Sequence, residues 1–234
     1  MKEKILFGAI VMLAGSLLAA DSNPQDAVKD AATKLDEKDN YSWKTTIDLG
    51  LGDMVGTIDG KTEKGGATVL ALAGGDQSMD AVLKGGKGVL KLDEGWKLIS
   101  AVAEDNDQGE APRIVARILQ GLRVPAAEAA VLAAKAKDLK LTNDVYCGDL
   151  TLDAIKDMVK FGQKGGADVP EVKTAKGTIK FWLKDGLLTK YEYNVEGSVT
   201  LNGDEHEGTL KNTVQIKDVG TTKVTVPEDA AKKL

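Results

Sequence analysis

Glycines divide the first half of the sequence into short segments in which polar and apolar residues alternate. The alternation begins at Tyr41, Trp43, Thr45, Ile47 and Leu49 and returns at 53–60, 66–73, 77–84 and 87–93. A period of two places every second side chain on the same face of a strand, and glycines at the breaks favour tight turns. The pattern therefore predicts an antiparallel meander with one apolar face.

The same pattern returns from Gly177. Ile179, Phe181 and Leu183 share one strand face, and Asp185-Gly186 predicts a turn before a strand over 187–197. Two further strands, over 205–217 and 221–226, are expected to complete this second set, and Asn202-Gly203 is the strongest two-residue hairpin signal in the chain.

Helices are predicted before and between the two sets of strands. Asn23 and Pro24 are typical of a helix N-cap and first turn, and apolar residues recur at helical spacing to about Asp39. In the middle of the chain Pro112 and Pro125 are each predicted at the first position of a helix. An alanine-rich helix over 126–137, a short strand over 144–149 and a helix capped by Thr151 follow.

No linker rich in proline and serine separates these segments. We therefore expect one α+β domain over residues 21–234. Its two sets of antiparallel strands are predicted to form one large curved sheet, with helices covering the apolar face.

Residues 1–20 have the pattern of a signal peptide. Lys2 and Lys4 precede an uncharged apolar run that ends in small residues at Ala20, and this run is shorter than the roughly 20 residues that a membrane-spanning helix needs. Cleavage near Ala20 is predicted, and a retained N-terminal anchor is the alternative. The expected location is periplasmic or secreted, with no stable transmembrane span after processing.

Composition excludes several kinds of site. The chain has one Cys, one His and a net charge of −5, which argues against disulfide scaffolds, metal sites built from several imidazoles or thiolates, and nucleic-acid partners. Cys147 is either a buried apolar side chain or a free thiol, and we favour the buried interpretation. We expect no cofactor, no metal and no catalytic residue.

Three local patterns that could carry chemistry fail in detail. Gly50-Leu51-Gly52 is followed by a glycine one position late for a dinucleotide loop, and by a strand instead of a helix. The acidic run 104–110 lacks the later ligands of a calcium loop. His206 lies between two glutamates whose side chains point to the opposite strand face, so it is predicted to be an exposed strand residue. A catalytic carboxylate pair stays open, because 36 acidic residues always allow some pair.

Four strings resemble a known family when taken together. They are YSWKTT at 41–46, EGW at 94–96, IKFWLKDGLL at 179–188 and VTVPEDA at 224–230. The family is the bacterial periplasmic lipoprotein carrier superfamily, the LolA-like and LppX-like proteins, and the resemblance covers about 41–103 and 177–230.

The resemblance implies an open, strongly curved antiparallel sheet, or half-barrel, with helices covering the concave face around a hydrophobic cavity. Members carry lipids or acylated proteins across the periplasm and perform no covalent chemistry. The chain departs from the family pattern in two respects: it has no lipid-attachment cysteine, and its central segment 104–166 is longer and richer in alanine.

Seven residues on the apolar strand faces are candidates for lining such a cavity. They are Trp43, Ile47, Ile179, Phe181, Leu183, Val214 and Ile216. Packing against helices is the alternative and the commoner fate of such residues.

The favoured hypothesis is a non-enzymatic exported binding protein that carries an apolar ligand, a lipid or acyl chain. The alternative is a structural or assembly protein of the cell envelope whose cavity is filled by its own helices and which binds a protein partner. Hydrolysis by an unrecognised carboxylate pair is the third hypothesis.

Overall fold

The computed structural model describes residues 23–50, 55–159, 171–201 and 204–234. The predicted signal peptide at 1–20 and the predicted Asn202-Gly203 turn lie outside these ranges, and both stay predictions.

An open antiparallel sheet of eleven strands forms the body of the described part of the chain. The strands are β1 (Asn40–Asp48), β2 (Val55–Glu63), β3 (Ala67–Gly74), β4 (Gln77–Lys84), β5 (Lys87–Leu92), β6 (Gly95–Leu98), β7 (Ala136–Thr142), β8 (Val145–Leu150), β9 (Glu171–Lys184), β10 (Leu187–Leu201) and β11 (Asp204–Lys217). Their order is β6-β5-β4-β3-β2-β1-β11-β10-β9-β8-β7, which leaves β6 and β7 as the two edges.

Two meanders meet at one pair of strands. β1–β6 and β7–β11 each pair with their neighbours in the chain, and β1 pairs with β11 from Ser42↔Lys217 to Asp48↔Lys211. The Ser42 hydroxyl also donates a hydrogen bond of 2.8 Å to Asp218 Oδ2. The predicted joining of the N-terminal and C-terminal strands into one sheet is confirmed.

The helices pack on one face of this sheet, except for the last. They are α1 (Pro24–Asp36), α2 (Ile99–Glu104), α3 (Glu110–Gly121), α4 (Pro125–Lys135), α5 (Leu152–Val159) and α6 (Glu228–Ala231). Buried residues of α1–α5 form one apolar cluster with inward-facing residues of the sheet, including Leu70, Leu90 and Tyr191. The α+β class and the half-barrel with helices over its concave face are confirmed.

Two predicted helix caps are also confirmed. Asn23 caps α1, since its Oδ1 accepts a hydrogen bond of 3.0 Å from the Gln25 N–H, and Pro24 takes the first helical position. Thr151 Oγ1 accepts one of 3.1 Å from the Ala154 N–H and caps α5. These side chains satisfy donors that the first helical turn leaves unpaired.

Several predicted element bounds in the middle of the chain are wrong. Pro112 is the third residue of α3, not its first, which the first turn tolerates because its N–H groups have no helical acceptor. The alanine-rich helix ends at Lys135, since the next residues pair with β8, and sheet pairing overrides the helical propensity of alanine. β9 begins at Glu171, earlier than the predicted Gly177.

The predicted strand over 221–226 is wrong. Val224 and Val226 pack instead on the convex face of the sheet, in a second apolar cluster around Val82 and Val89. Ala230 of α6 is fully buried in the same cluster. The alternating pattern of this segment reflects its packing across a sheet face, and not pairing with a sheet edge.

In the ranges described above, no helix has the length and hydropathy needed to cross a membrane.

Candidate ligand-binding cavity

The strand register brings side chains from four strands into rows on the concave face. One row consists of Ile47, Asn212, Tyr193 and Ile179, and the next of Thr45, Val214, Tyr191 and Phe181. Each row runs across β1, β11, β10 and β9, because directly opposed residues of antiparallel strands point to the same face.

A cavity of about 200 Å³ lies between this face and helices α3, α4 and α5. Most of its wall is apolar, and the apolar lining residues are Trp43, Ile47, Ile58, Ile118, Leu122, Pro125, Val131, Leu132, Ala154, Met158 and Leu210. Its polar lining residues are Thr45, Arg123, Glu128, Lys135, Asp157, Tyr191, Tyr193 and Asn212. An amphipathic ligand would therefore find both kinds of surface here.

Two of the seven predicted lining residues, Trp43 and Ile47, border this cavity. The remaining five are part of the same concave-face core: Ile179, Phe181 and Val214 are buried in it, and Leu183 and Ile216 pack against it. The strand periodicity thus identifies the face, whereas the position of the helices decides where on that face space remains.

Glu128 and Tyr191 form a hydrogen-bonded pair at the cavity wall. The Tyr191 hydroxyl donates to Glu128 Oε2, which ties α4 to the middle of the sheet. Burial raises the pKa of Glu128, while the hydrogen bond from Tyr191 and the nearby charge of Arg123 lower it. Residue 128 is partly exposed and borders the cavity. Desolvation nevertheless has the largest effect on the pKa of its carboxyl group.

The tyrosines of this site are held in their neutral form. Burial raises the pKa of Tyr191 well above its ordinary value, and the negative charge of Glu128 raises it further. The same two causes raise the pKa of Tyr193. A phenol with a raised pKa is a hydrogen-bonding group and a poor base or nucleophile at neutral pH.

Asn212 is a buried polar residue of this site with one unpaired hydrogen-bond acceptor. It is 4% exposed, and its Oδ1 atom is buried with no hydrogen-bond partner among the described residues. A hydrogen bond from Asn212 to the Tyr193 hydroxyl lowers the pKa of that tyrosine, which places the amide nitrogen toward Tyr193. The Oδ1 atom is therefore a buried acceptor without a donor among the described residues.

Sequence reasoning missed the polar side of the site. Asn212 stands between Leu210 and Val214 in the alternation of β11, so a polar residue in an apolar row was the available signal. Glu128 gave no such signal, since an acidic residue in an alanine-rich helix is most often exposed.

The other candidate residues lie away from the cavity. His206 is exposed on β11, as predicted. Cys147 is half-buried, and not fully buried as favoured from the sequence. Asp105 in the acidic run accepts hydrogen bonds from the Asp107 N–H and the Gln108 amide, which stabilise a loop. Over the described ranges, no group of three or more His, Cys, Asp or Glu side chains is arranged to hold a metal ion.

Comparison with known proteins gives matches among solved structures. No protein-family model matches the chain, and no curated protein matches it. Among solved structures, LprF from Mycobacterium bovis is 14% identical, with a TM-score of 0.48 over 88% of this chain and 97% of LprF. The lipoprotein LppX from Mycobacterium tuberculosis is 10% identical, with a TM-score of 0.45 over 89% of this chain and 100% of LppX. A LolA superfamily protein from Nitrosomonas europaea is 8% identical, with a TM-score of 0.35 over 87% and 96% of the two chains. LppX and the LolA superfamily protein belong to the family that the sequence resembles.

Proposed function

We propose that this chain is an exported, non-enzymatic binding protein that holds the apolar part of a lipid or acyl chain between the sheet and helices α3–α5. The observation that carries the proposal is the cavity of about 200 Å³ with a mainly apolar wall. Moving apolar surface from water into such a space contributes about 25 cal/mol per Å².

The cavity volume limits the size of the buried group. A dry apolar cavity of roughly 150 Å³ accepts a molecule of the size of benzene. The cavity here is about 200 Å³, so we expect it to enclose a short or medium alkyl chain. The rest of a longer lipid would lie outside it.

Three polar residues of the cavity, Glu128, Tyr191 and Tyr193, favour binding over catalysis. Burial keeps Tyr191 and Tyr193 protonated, and Glu128 is already the acceptor for Tyr191. These groups can orient a ligand by hydrogen bonds, but they offer no activated nucleophile.

A fluorescent apolar probe tests the proposal. The delipidated protein should bind N-phenyl-1-naphthylamine with an increase in probe emission, and added medium-chain lipids should displace the probe. Ile118→Trp places a larger side chain in the cavity wall and should abolish binding. Ile114→Trp is the matched control, since Ile114 lies on the same helix and is similarly exposed, at 46% against 44% for Ile118, but does not line the cavity. Absence of probe binding to the unsubstituted protein, or equal loss in both variants, would contradict the proposal.

Export is the second part of the proposal, and it is supported by the signal-peptide pattern of residues 1–20. N-terminal sequencing of protein recovered from the periplasm should give a chain that starts near Asp21. A chain that still begins at Met1 would indicate a retained anchor.

A structural or assembly role is the second candidate function. It is favoured by the volume of the cavity, about 200 Å³, which is below the roughly 300–1,000 Å³ of most ligand pockets. In this case the helices serve to fill the half-barrel, and a protein partner binds elsewhere. Crosslinking in the envelope fraction should then recover one stable partner, and native mass spectrometry should show a protein free of lipid.

A further inference from the structure

The two rows of side chains that border the cavity continue beyond it, onto the strands of the first meander. Directly opposed residues of antiparallel strands point to the same face, so both rows stay on the concave face as far as β4. The added residues are Gly56, Gly74 and Gln77 in the row of Ile47, and Ile58, Leu72 and Met79 in the row of Thr45.

A second space of about 180 Å³ lies on this extension, between strands β1–β4 and helix α3, and its wall is mainly apolar. Ile47, Ile58 and Ile118 border both this outer groove and the cavity, so the two spaces are adjacent. The residues that border the outer groove and not the cavity include Gly56, Leu72, Gly74, Gln77, Met79 and Val115.

Two opposed glycines leave room in the outer groove. Gly56 and Gly74 are partners in the pairing of β2 with β3. A β-carbon on Gly56 would have its nearest contact at 3.8 Å, and one on Gly74 at 4.0 Å. Neither residue has the positive φ that favours glycine, so neither packing nor backbone conformation requires a glycine at these positions. Glycine weakens a strand interior, and it often marks a place where a ligand approaches the backbone.

The outer groove is open to water and apolar at the same time. Gly74 and Gln77 are exposed, and Ile118, which borders both spaces, is 44% exposed. An alkyl chain along the groove would remove this apolar surface from water, which favours binding.

The distribution of charge gives the site a direction. Arg123, Glu128, Lys135 and Asp157 border the cavity, whereas no charged residue borders the outer groove among the described part of the chain. The polar end of an amphiphile is therefore stabilised at the cavity, and its apolar end is suited to the groove, where no charge would have to lose its water.

The combined length of the two spaces fits a long alkyl chain. They extend from β10, where Tyr191 borders the cavity, to β4, where Met79 borders the groove. Neighbouring strands lie about 4.8 Å apart, so this path across six strands measures about 24 Å, which an extended alkyl chain of roughly 16–18 carbons nearly spans.

We propose that the cavity and the outer groove together form one site for a single long alkyl chain. The polar end of the ligand lies at the charged residues of the cavity, and the end of the chain lies over Gly56 and Gly74. This inference rests on the proposed binding function and adds the length and the direction of the bound chain.

Binding of octanoate, dodecanoate and hexadecanoate to the delipidated protein tests the length of the site. Each is added below its micelle-forming concentration, and its Kd is obtained from displacement of N-phenyl-1-naphthylamine. The carboxylate is common to all three, so its contribution cancels in the comparison. Each methylene that is at least half buried lowers the Kd about twofold or more, so hexadecanoate should bind at least about 100-fold more tightly than octanoate.

The variant Gly74→Leu places a side chain in the outer groove. It should bind octanoate like the unsubstituted protein but reduce the advantage of hexadecanoate to less than about tenfold, since fewer methylenes remain buried. Gly208→Leu is the matched control, because Gly208 is also a strand glycine whose β-carbon would meet no atom within 4 Å, and it borders neither space. This control should keep the full advantage.

Thermal unfolding verifies that the variants are folded. Gly74→Ala adds only a methyl group, for which there is room, and should give an intermediate advantage for hexadecanoate. It decides the question if the leucine variant does not fold.

Four results would separate the possible failures. If the probe does not bind the unsubstituted protein, the binding function itself is wrong. If the probe binds but octanoate and hexadecanoate have equal Kd values, the chain ends within the cavity and the extended site is wrong. If Gly74→Leu keeps the advantage of hexadecanoate, or Gly208→Leu loses it equally, the chain does not lie in the outer groove. If native mass spectrometry shows a dimer that Gly74→Leu converts to a monomer, a second copy of the chain covers the groove and the assignment is overturned.

Discussion

The indole ring of Trp43 lies directly over Gly60, its partner on the neighbouring strand β2. A β-carbon placed on Gly60 would fall 2.2 Å from Cζ2 of that ring, which is far inside van der Waals contact. The absence of a side chain at position 60 therefore sets the orientation of Trp43, and with it one wall of the cavity.

Gly60→Ala should displace the Trp43 ring and reduce the free energy of unfolding by about 1–3 kcal/mol, the usual effect of overpacking a core. Gly56→Ala is the control on the same strand face, because a β-carbon there would have its nearest contact at 3.8 Å. Urea denaturation and near-ultraviolet circular dichroism of the two variants measure the difference. Equal behaviour of both variants would show that Trp43 is not held by Gly60.

Glu128→Gln should make stability less dependent on pH. Burial raises the pKa of Glu128 above its ordinary value of 4.5, so the folded protein retains a proton that the unfolded chain has released. Stability is then lost as pH rises from 4.5 toward the folded-state pKa. Glutamine does not titrate and still accepts a hydrogen bond from Tyr191. We expect the variant to gain stability relative to the original protein by up to about 1.4 kcal/mol per pH unit across this window, as measured by urea denaturation at each pH.

Tyr191→Phe should act in the opposite direction. It removes the hydrogen bond that lowers the pKa of Glu128 and keeps the ring that packs 6.3 Å from Phe181, centroid to centroid. The loss of stability with rising pH should therefore extend to higher pH than in the original protein. A pH profile that Tyr191→Phe leaves unchanged would mean that the two side chains are not coupled in solution.

Ala230→Asp tests the packing of the C-terminal segment on the convex face. Ala230 is fully buried there, and a carboxylate at this position would have to lose its water or detach the segment, at a cost of at least about 2 kcal/mol. Ala231→Asp is the matched control on the next, exposed residue and should change stability by less than about 0.5 kcal/mol. Thermal unfolding distinguishes the two, and equal midpoints would disprove the packing.

Thr151→Ala should destabilise α5 by about 1 kcal/mol, since it removes the hydroxyl that accepts the Ala154 N–H. Thr151→Ser keeps this oxygen and should retain most of the stability. Urea denaturation measures both. Because Ala154 and Met158 of this helix line the cavity, the alanine variant should also bind the apolar probe more weakly than the serine variant.

The sheet could be predicted from sequence where local signals agree. Alternation and glycine spacing predict the bounds of β1 and β3–β5 to within one residue. The Asp185-Gly186 turn follows from its sequence, because both residues adopt positive φ, at 53° and 72°, as a two-residue hairpin of this kind requires.

The remaining features depend on contacts between distant segments. An alternating pattern does not distinguish a strand at an edge from a segment that crosses a face, as Val224 and Val226 do. The cavity likewise forms where α3, α4 and α5 leave the concave face uncovered, and no local pattern encodes that gap. Asn212 could have been found as a polar residue in an apolar row, whereas Glu128 gains its role only through Tyr191.

The pairing of β1 with β11 also determines the order in which this molecule can be assembled. Ser42 and Asp218, which are hydrogen-bonded beside this pair, are 176 residues apart in the chain. The first meander can form early from local contacts, but the edge of β1 has no partner until the last strand has been made. The two halves of the half-barrel therefore join last, across a long loop whose closure is entropically costly and slow. Premature release of the chain before residue 204 would leave β1 as an open edge, which is the kind of surface at which chains aggregate.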